Sequence, residues 1–138
     1  MDSEKNDEIY ALVERLKSIV VCSQDKEGYP NAKAMLNLEH DGLNTFYFST
    51  NLSAKRTGQF SQNPKASIYA FDPETFQGLM LVGEMKVCTD RESREKLWRE
   101  GFEMYYPAGI DDPDYCVLKF VAKYGNYYHG LHNETFDV

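Results

Sequence analysis

The run Phe46-Tyr47-Phe48-Ser49-Thr50-Asn51-Leu52-Ser53-Ala54-Lys55 passes from an aromatic, strand-favouring stretch into hydroxyls, a turn and a lysine. Hydroxyls and a cation gathered where a strand ends can hold a phosphate, with Lys55 as the point charge and Ser49, Thr50 and Ser53 as neutral donors. The same residues also describe a strand turning into a helix, with Ser53 as the N-cap and Lys55 as a solvated charge. The run by itself leaves both readings open.

Working outward, Ile9, Leu12, Val13 and Leu16 form a helical stripe behind Asp7 and Glu8, which predicts a helix over 7–18. Short apolar or alternating segments separated by Gly, Pro, Asn and Asp predict strands over 19–23, 31–39 and 45–50. A short helix over 53–62 stops at Asn63-Pro64, because proline cannot continue a helix and restricts its predecessor. Strands over 65–71 and 78–89 follow, with Gly83 marking a bulge or a close backbone approach. Thr89 or Asp90 caps a third helix whose Leu97, Trp98 and Phe102 face the core, and strands over 115–121 and 125–131 close the chain. On the last of these, Tyr127 and Tyr128 must point to opposite faces. Six to seven strands in hairpin-length connection, with about three helices, give an α+β class built on an antiparallel barrel. A doubly wound nucleotide fold is disfavoured by the absence of alternating long helices and of Gly-rich phosphate motifs.

With 138 residues and 42% hydrophobic content, the chain reads as one domain over 1–138 with a single substantial core. A formal charge of −7 argues against nonspecific nucleic-acid or anionic-membrane binding, so any phosphate must be held locally. Cys22, Cys88 and Cys116 are dispersed and lack metal-ligand spacing, and they read as reduced thiols of a cytoplasmic protein. The polar, acidic stretch from Met1 to Glu8 does not read as a secretory signal, and no apolar run has the length of a membrane span. His40, His129 and His132 have no paired nucleophile or metal-ligand companions, so neither a metal site nor a triad is expected.

The ordered series Pro30-Asn31-Ala32-Lys33-Ala34-Met35, Asp41-Gly42, Phe46 to Thr50, Ser53-Ala54-Lys55, Asn63-Pro64, Gly83, Asp90, Leu97-Trp98, Tyr106-Pro107-Ala108-Gly109 and Asp112-Pro113-Asp114 resembles the pyridoxamine 5′-phosphate oxidase-like flavoproteins. Within them it is most similar to the short general-stress-protein branch, over about residues 8–130. The resemblance implies an FMN-binding split β-barrel that works as a homodimer, with cofactor sites at the subunit interface. It also implies Lys33, Met35, Ser49, Thr50, Ser53 and Lys55 as flavin contacts, with Tyr128 as a further flavin neighbour. The activity implied is an FMN-dependent oxidoreductase that takes electrons from a reduced nicotinamide. The alternative is a non-catalytic, stress-associated FMN binder. Lys33 stands where the family often has arginine, and lysine keeps the charge but loses the bidentate fork. The true oxidases also carry an arginine just before the turn lysine, a glutamine on a later strand and a C-terminal substrate-gripping segment. Ala54 and about Gly78 occupy those first two places here, so pyridoxamine phosphate oxidation is not expected.

Overall fold

The computed structural model describes residues 3–138, so Met1 and Asp2 of the acidic N-terminal run lie outside the described residues. Helix α1 (Ser3–Arg15) lays fully buried Ile9, Leu12 and Val13 over the barrel interior. It starts and stops earlier than its apolar stripe predicts. Its end is fixed by tertiary bonds: the Asn37 side-chain amide donates to the Val13 and Leu16 carbonyls at 2.9 and 3.0 Å, satisfying groups a helix terminus leaves orphaned. Arg15, the last helical residue, reaches across to Asp72 Oδ2 at 2.8 Å and Gln77 Oε1 at 2.6 Å.

Strands β1 (Ser18–Gln24), β2 (Pro30–Leu36), β3 (Glu39–Asp41), β4 (Thr45–Asn51), β5 (Lys65–Asp72), β6 (Gln77–Cys88), β7 (Tyr115–His129) and β8 (His132–Asp137) form one antiparallel sheet. The order is β2-β1-β5-β6-β7-β4-β3, with β8 pairing only β7. The result is a curled α+β half-barrel with helices packed on it, the split-barrel class expected. Its interior holds Phe46, Phe48, Leu81, Leu118, Phe120 and Tyr127, each 0–1% exposed. Burying each such side chain contributes roughly 1.5–3 kcal/mol. A second apolar layer sits on the opposite face of β4 and β7. There α3 (Arg91–Leu97) and two short 3-10 turns pack Leu97, Trp98, Phe102 and Tyr106 against Tyr115 and Val117. Trp98, the C-cap residue of α3, is partly buried against this layer, on the core side expected of it. Asp90 caps α3, its carboxylate accepting from Ser93 N at 3.0 Å.

Two expectations are corrected. The predicted strands over 115–121 and 125–131 are one continuous strand, because Gly125 has no left-handed backbone and lies closed under Leu81 and Phe136 instead of making a turn. The final strand β8 went unpredicted because its sequence, His-Asn-Glu-Thr-Phe-Asp, is polar and mostly exposed. Gly83 carries the predicted irregularity: the β6–β7 register shifts between Val82 and Gly83, and a Cβ on Gly83 would lie 2.0 Å from the Val121 carbonyl oxygen.

The Asp72 carboxyl is held below the usual carboxylate range, first by the hydrogen bond from Arg15 and then by the Glu74 backbone N–H. A depressed folded-state pKa gives stability that is present above the unfolded value and lost as pH falls through the folded one. Asp72→Asn is expected to flatten the decline of urea-unfolding stability below about pH 4; an unchanged acid limb would remove this pair from the balance. Gly83→Ala is expected to cost several kcal/mol, because the clash is with backbone and cannot be relieved by a rotamer change. A urea midpoint equal to that of the parent would refute the close-approach explanation.

Candidate functional site

Period-two alternation sorts the residues of the opening run. Strand β4 turns Phe46, Phe48 and Thr50 inward, while Tyr47 and Ser49 face the second apolar layer. Ser49 pairs with Val117 of that layer, and its Oγ is buried there. The hydroxyls of Ser49 and Thr50 therefore serve opposite faces of one strand. Ser53 is neither the helix cap nor an open donor. Its N–H and its Oγ both donate to the Asp114 carboxylate at 2.9 Å, and the cap position of α2 (Lys55–Gln62) is Ala54, with no side-chain bond. Leu52 N donates to the Asp114 carbonyl at 2.8 Å, so Asp114 pins the whole β4–α2 turn.

That pinned turn aims the start of α2 at the β1–β2 hairpin. Between them lies a cavity of about 240 Å³ whose charged lining residues are Lys33 from β2 and Lys55 and Arg56 from α2. No carboxylate lines it. Among the described residues neither the Lys33 nor the Lys55 side chain makes a hydrogen bond or an ion pair. Arg56 donates through Nη2 to Thr50 Oγ1 at 3.3 Å, but its Nε is buried with no partner. Burial pulls the Arg56 guanidinium below the ordinary arginine range, against a smaller opposing interaction with Tyr106. A partly buried cation without a counter-charge carries a desolvation cost that a bound anion would offset. Arg56 is such a cation, and with the exposed Lys33 and Lys55 beside it in a chain of net charge −7 it makes a local anion cradle.

Gln59 holds the two walls together. Its Oε1 accepts from Ser23 of β1, and its Nε2 donates to Asn31 Oδ1 of β2 at 3.0 Å. Both ends of one amide thus fix the helix carrying Lys55 and Arg56 against the hairpin carrying Lys33.

Of the residues named from sequence, Lys33, Lys55 and, through Arg56, Thr50 come together at this cavity. Met35 lies two residues beyond Lys33 on the same face but is 7% exposed and packs in the interior. Tyr128 stands apart. It faces the outside of β7, its hydroxyl hydrogen-bonded to Tyr69 and its ring lying over Gly78. Tyr69 pairs with Val20, whereas the cavity-lining Val21 points the other way. Burial and the bond to Tyr128 push the Tyr69 hydroxyl up to about 12. Arg56 is the residue that sequence reasoning missed. Ala54 stands where the oxidases place an arginine before the turn lysine, yet the residue after Lys55 supplies a guanidinium to the same cavity.

Comparison with known proteins bears on this site. The family model for pyridoxamine 5′-phosphate oxidase matches residues 6–129. No curated protein matches the chain. Among solved structures, a protein related to general stress protein 26 of Bacillus subtilis (pyridoxinephosphate oxidase family), from Clostridium acetobutylicum, is 46% identical. The match covers 100% of this chain and 97% of that one, with a TM-score of 0.89. At 12% identity and TM-score 0.67, covering 100% and 98% of the two chains, the fold also matches a pyridoxamine 5′-phosphate oxidase-related, FMN-binding protein from Nostoc punctiforme. A heme-binding protein from Mycobacterium smegmatis shares the fold at 15% identity and TM-score 0.78, over 99% of this chain and 59% of that one. At those two identities the likeness concerns fold alone.

The cradle predicts that inorganic phosphate stabilises the protein. At a concentration a hundredfold above its Kd the gain is about 2.7 kcal/mol, read as a rise in Tm at low ionic strength. Arg56→Met should abolish most of that rise while leaving the phosphate-free Tm close to that of the parent. A shift that survives in Arg56→Met would take Arg56 out of the cradle.

Proposed function

The chain belongs to the pyridoxamine 5′-phosphate oxidase family, and from that premise we propose that it is an FMN-binding flavoprotein, an oxidoreductase passing electrons from a reduced nicotinamide to a small-molecule acceptor. The observation that carries this reading is the carboxylate-free cavity in which Lys33, Lys55 and the orphaned Nε of Arg56 converge. These donors suit a phosphate monoester, which offers a double negative charge and several acceptor oxygens. Lys55 and Lys33 would act as point charges, while Arg56, steadied by Thr50, would supply directed N–H donors. Ser53 would shape the turn through Asp114 and leave the phosphate to the cations.

When bound, FMN supplies hydride acceptance at its ring and onward electron transfer to the acceptor. The chain's own contribution is binding, orientation and positive charge. Lys33, on the strand expected to run along the flavin, also places a cation where negative charge on a reduced ring is favoured. The lining holds cations and amides with no histidine or carboxylate, which fits chemistry carried by a cofactor.

A homodimer completes the reading. The cavity, at about 240 Å³, is smaller than the roughly 300–1,000 Å³ of small-molecule sites. Beside it β2 is an edge strand with Ala32, Lys33, Ala34 and Leu36 exposed. An open edge of that kind favours a covering partner, and a second copy would wall in the flavin ring. Three free cysteines agree with a cytoplasmic setting, and no helix among the described residues is long and apolar enough to cross a membrane.

The purified protein is expected to show flavin absorbance, or to bind FMN by calorimetry, and Lys55→Ala should weaken that affinity at least tenfold. Absence of both absorbance and binding would end the flavin reading. Anaerobic NADH or NADPH should bleach the bound flavin within the mixing time of a stopped-flow experiment. A flavin that stays yellow would identify a non-catalytic, stress-associated FMN binder instead.

A further inference from the structure

Glycine 58 sits in the middle of α2, where glycine costs about 0.5–1 kcal/mol relative to alanine. Nothing inside the chain asks for it. Its φ is not positive, and a Cβ built on it meets no atom within 4 Å. It lies instead on the floor of a groove of about 490 Å³ between the outer side of α2 and the tip of the β1–β2 hairpin. Lys55 and Gln59 line both this groove and the cation cavity, so a phosphate held at Lys55 has the cavity on one side and the groove on the other. Strand β2 leads from Pro30 at the tip to Lys33 and Met35, away from the groove. A flavin ring lying along β2 would leave the groove for whatever is attached to the far side of the phosphate.

We propose that the groove over Gly58 takes the adenosine half of FAD, so that the chain accepts a flavin dinucleotide as well as the mononucleotide. The inference rests on the flavin reading above. The groove's chemistry suits a nucleoside. Gln62 brings a side-chain amide of the kind that pairs bidentately with an adenine edge, while Gln24 and Asn63 brace the wall beside it, Asn63 Nδ2 donating to Gln24 Oε1 at 2.6 Å and Asn63 Oδ1 accepting from Lys65 N at 3.1 Å. Asp25 brings a carboxylate of the kind that accepts ribose hydroxyls. One of its oxygens, Oδ1, is already used by the N–H groups of Glu27 and Tyr29 at 3.0 and 2.9 Å, which fixes the side chain and leaves Oδ2 as the acceptor not used by them. The bare backbone at Gly58 lets a flat ring approach the helix where any larger side chain would intrude. Charge narrows the occupant further. With Lys55 turned to the phosphate, Asp25 and Glu27 outnumber Lys26 in the groove, an arrangement tolerant of a neutral nucleoside and unfavourable to a polyacidic tail.

The test is calorimetric titration of the flavin-free full chain with FMN, FAD and AMP, repeated with Gly58→Leu, a helix-favouring change into open space. Expected are FAD affinity within tenfold of FMN affinity and, in Gly58→Leu, at least a tenfold loss for FAD with FMN held within twofold. AMP is expected to bind the parent weakly and to lose that binding in the variant. FMN binding with FAD more than a hundredfold weaker would overturn the dinucleotide inference alone. So would equal effects of Gly58→Leu on both flavins. Failure of both flavins to bind the parent would overturn the flavin reading and this inference with it. Circular dichroism of the variant guards the comparison, and equal FMN binding confirms that its cradle is intact.

Discussion

The contact between Gly83 and the Val121 carbonyl is the constraint on which the rest of this architecture depends. It lets the longest strands, β6 and β7, stay paired through a register shift at Val82/Gly83. A bulge adds local twist and bends the strand that carries it. On one side of the bend β7 pairs with β4, and on the other with β8. One half of the sheet can therefore wrap the interior around Phe46 and Phe120 while its other face receives α3 and the second apolar layer.

This geometry positions the cation cradle. Strand β4 ends beside the start of β7, where Asp114 grips the N–H and hydroxyl of Ser53. The turn so formed launches α2 toward β1 and β2, and the Gln59 amide locks the two walls at a fixed spacing. Lys33, Lys55 and Arg56 are thus brought together by backbone elements held through hydrogen bonds outside the cavity, with no carboxylate among its lining. The partly buried Arg56 with its orphaned Nε costs stability in the unliganded protein and favours anion binding. The same trade recurs wherever function is built into a marginally stable fold.

Much of the fold was legible because hydrophobic periodicity reports burial directly. The alternation of β4, the stripe of α1, the stop at Asn63-Pro64 and the role of Gly83 each have a local physical cause. Errors arose where tertiary contacts overrode local signals. Asn37 ended α1 from outside it, and Gly125 continued a strand because Leu81 and Phe136 close over it. The polar β8 had no apolar pattern to betray it.

The site divides in the same way. Residue order alone marked Lys33, Thr50 and Lys55 and tied them to a family, since motif spacing survives in one dimension. Which way each side chain points, and what already occupies it, was decided only in three dimensions. Ser49 and Thr50 are neighbours in sequence, yet the strand sends them to opposite faces. Ser53 was spent on Asp114, 61 residues away, and Tyr128 on Tyr69. Arg56 became part of the cradle, and Gly58 the floor of a groove, only once α2 docked on the hairpin. The sequence determined the strands, the helices and the cations available; packing determined which donors remained open, because hydrogen-bond partners and burial are properties of distant segments brought together.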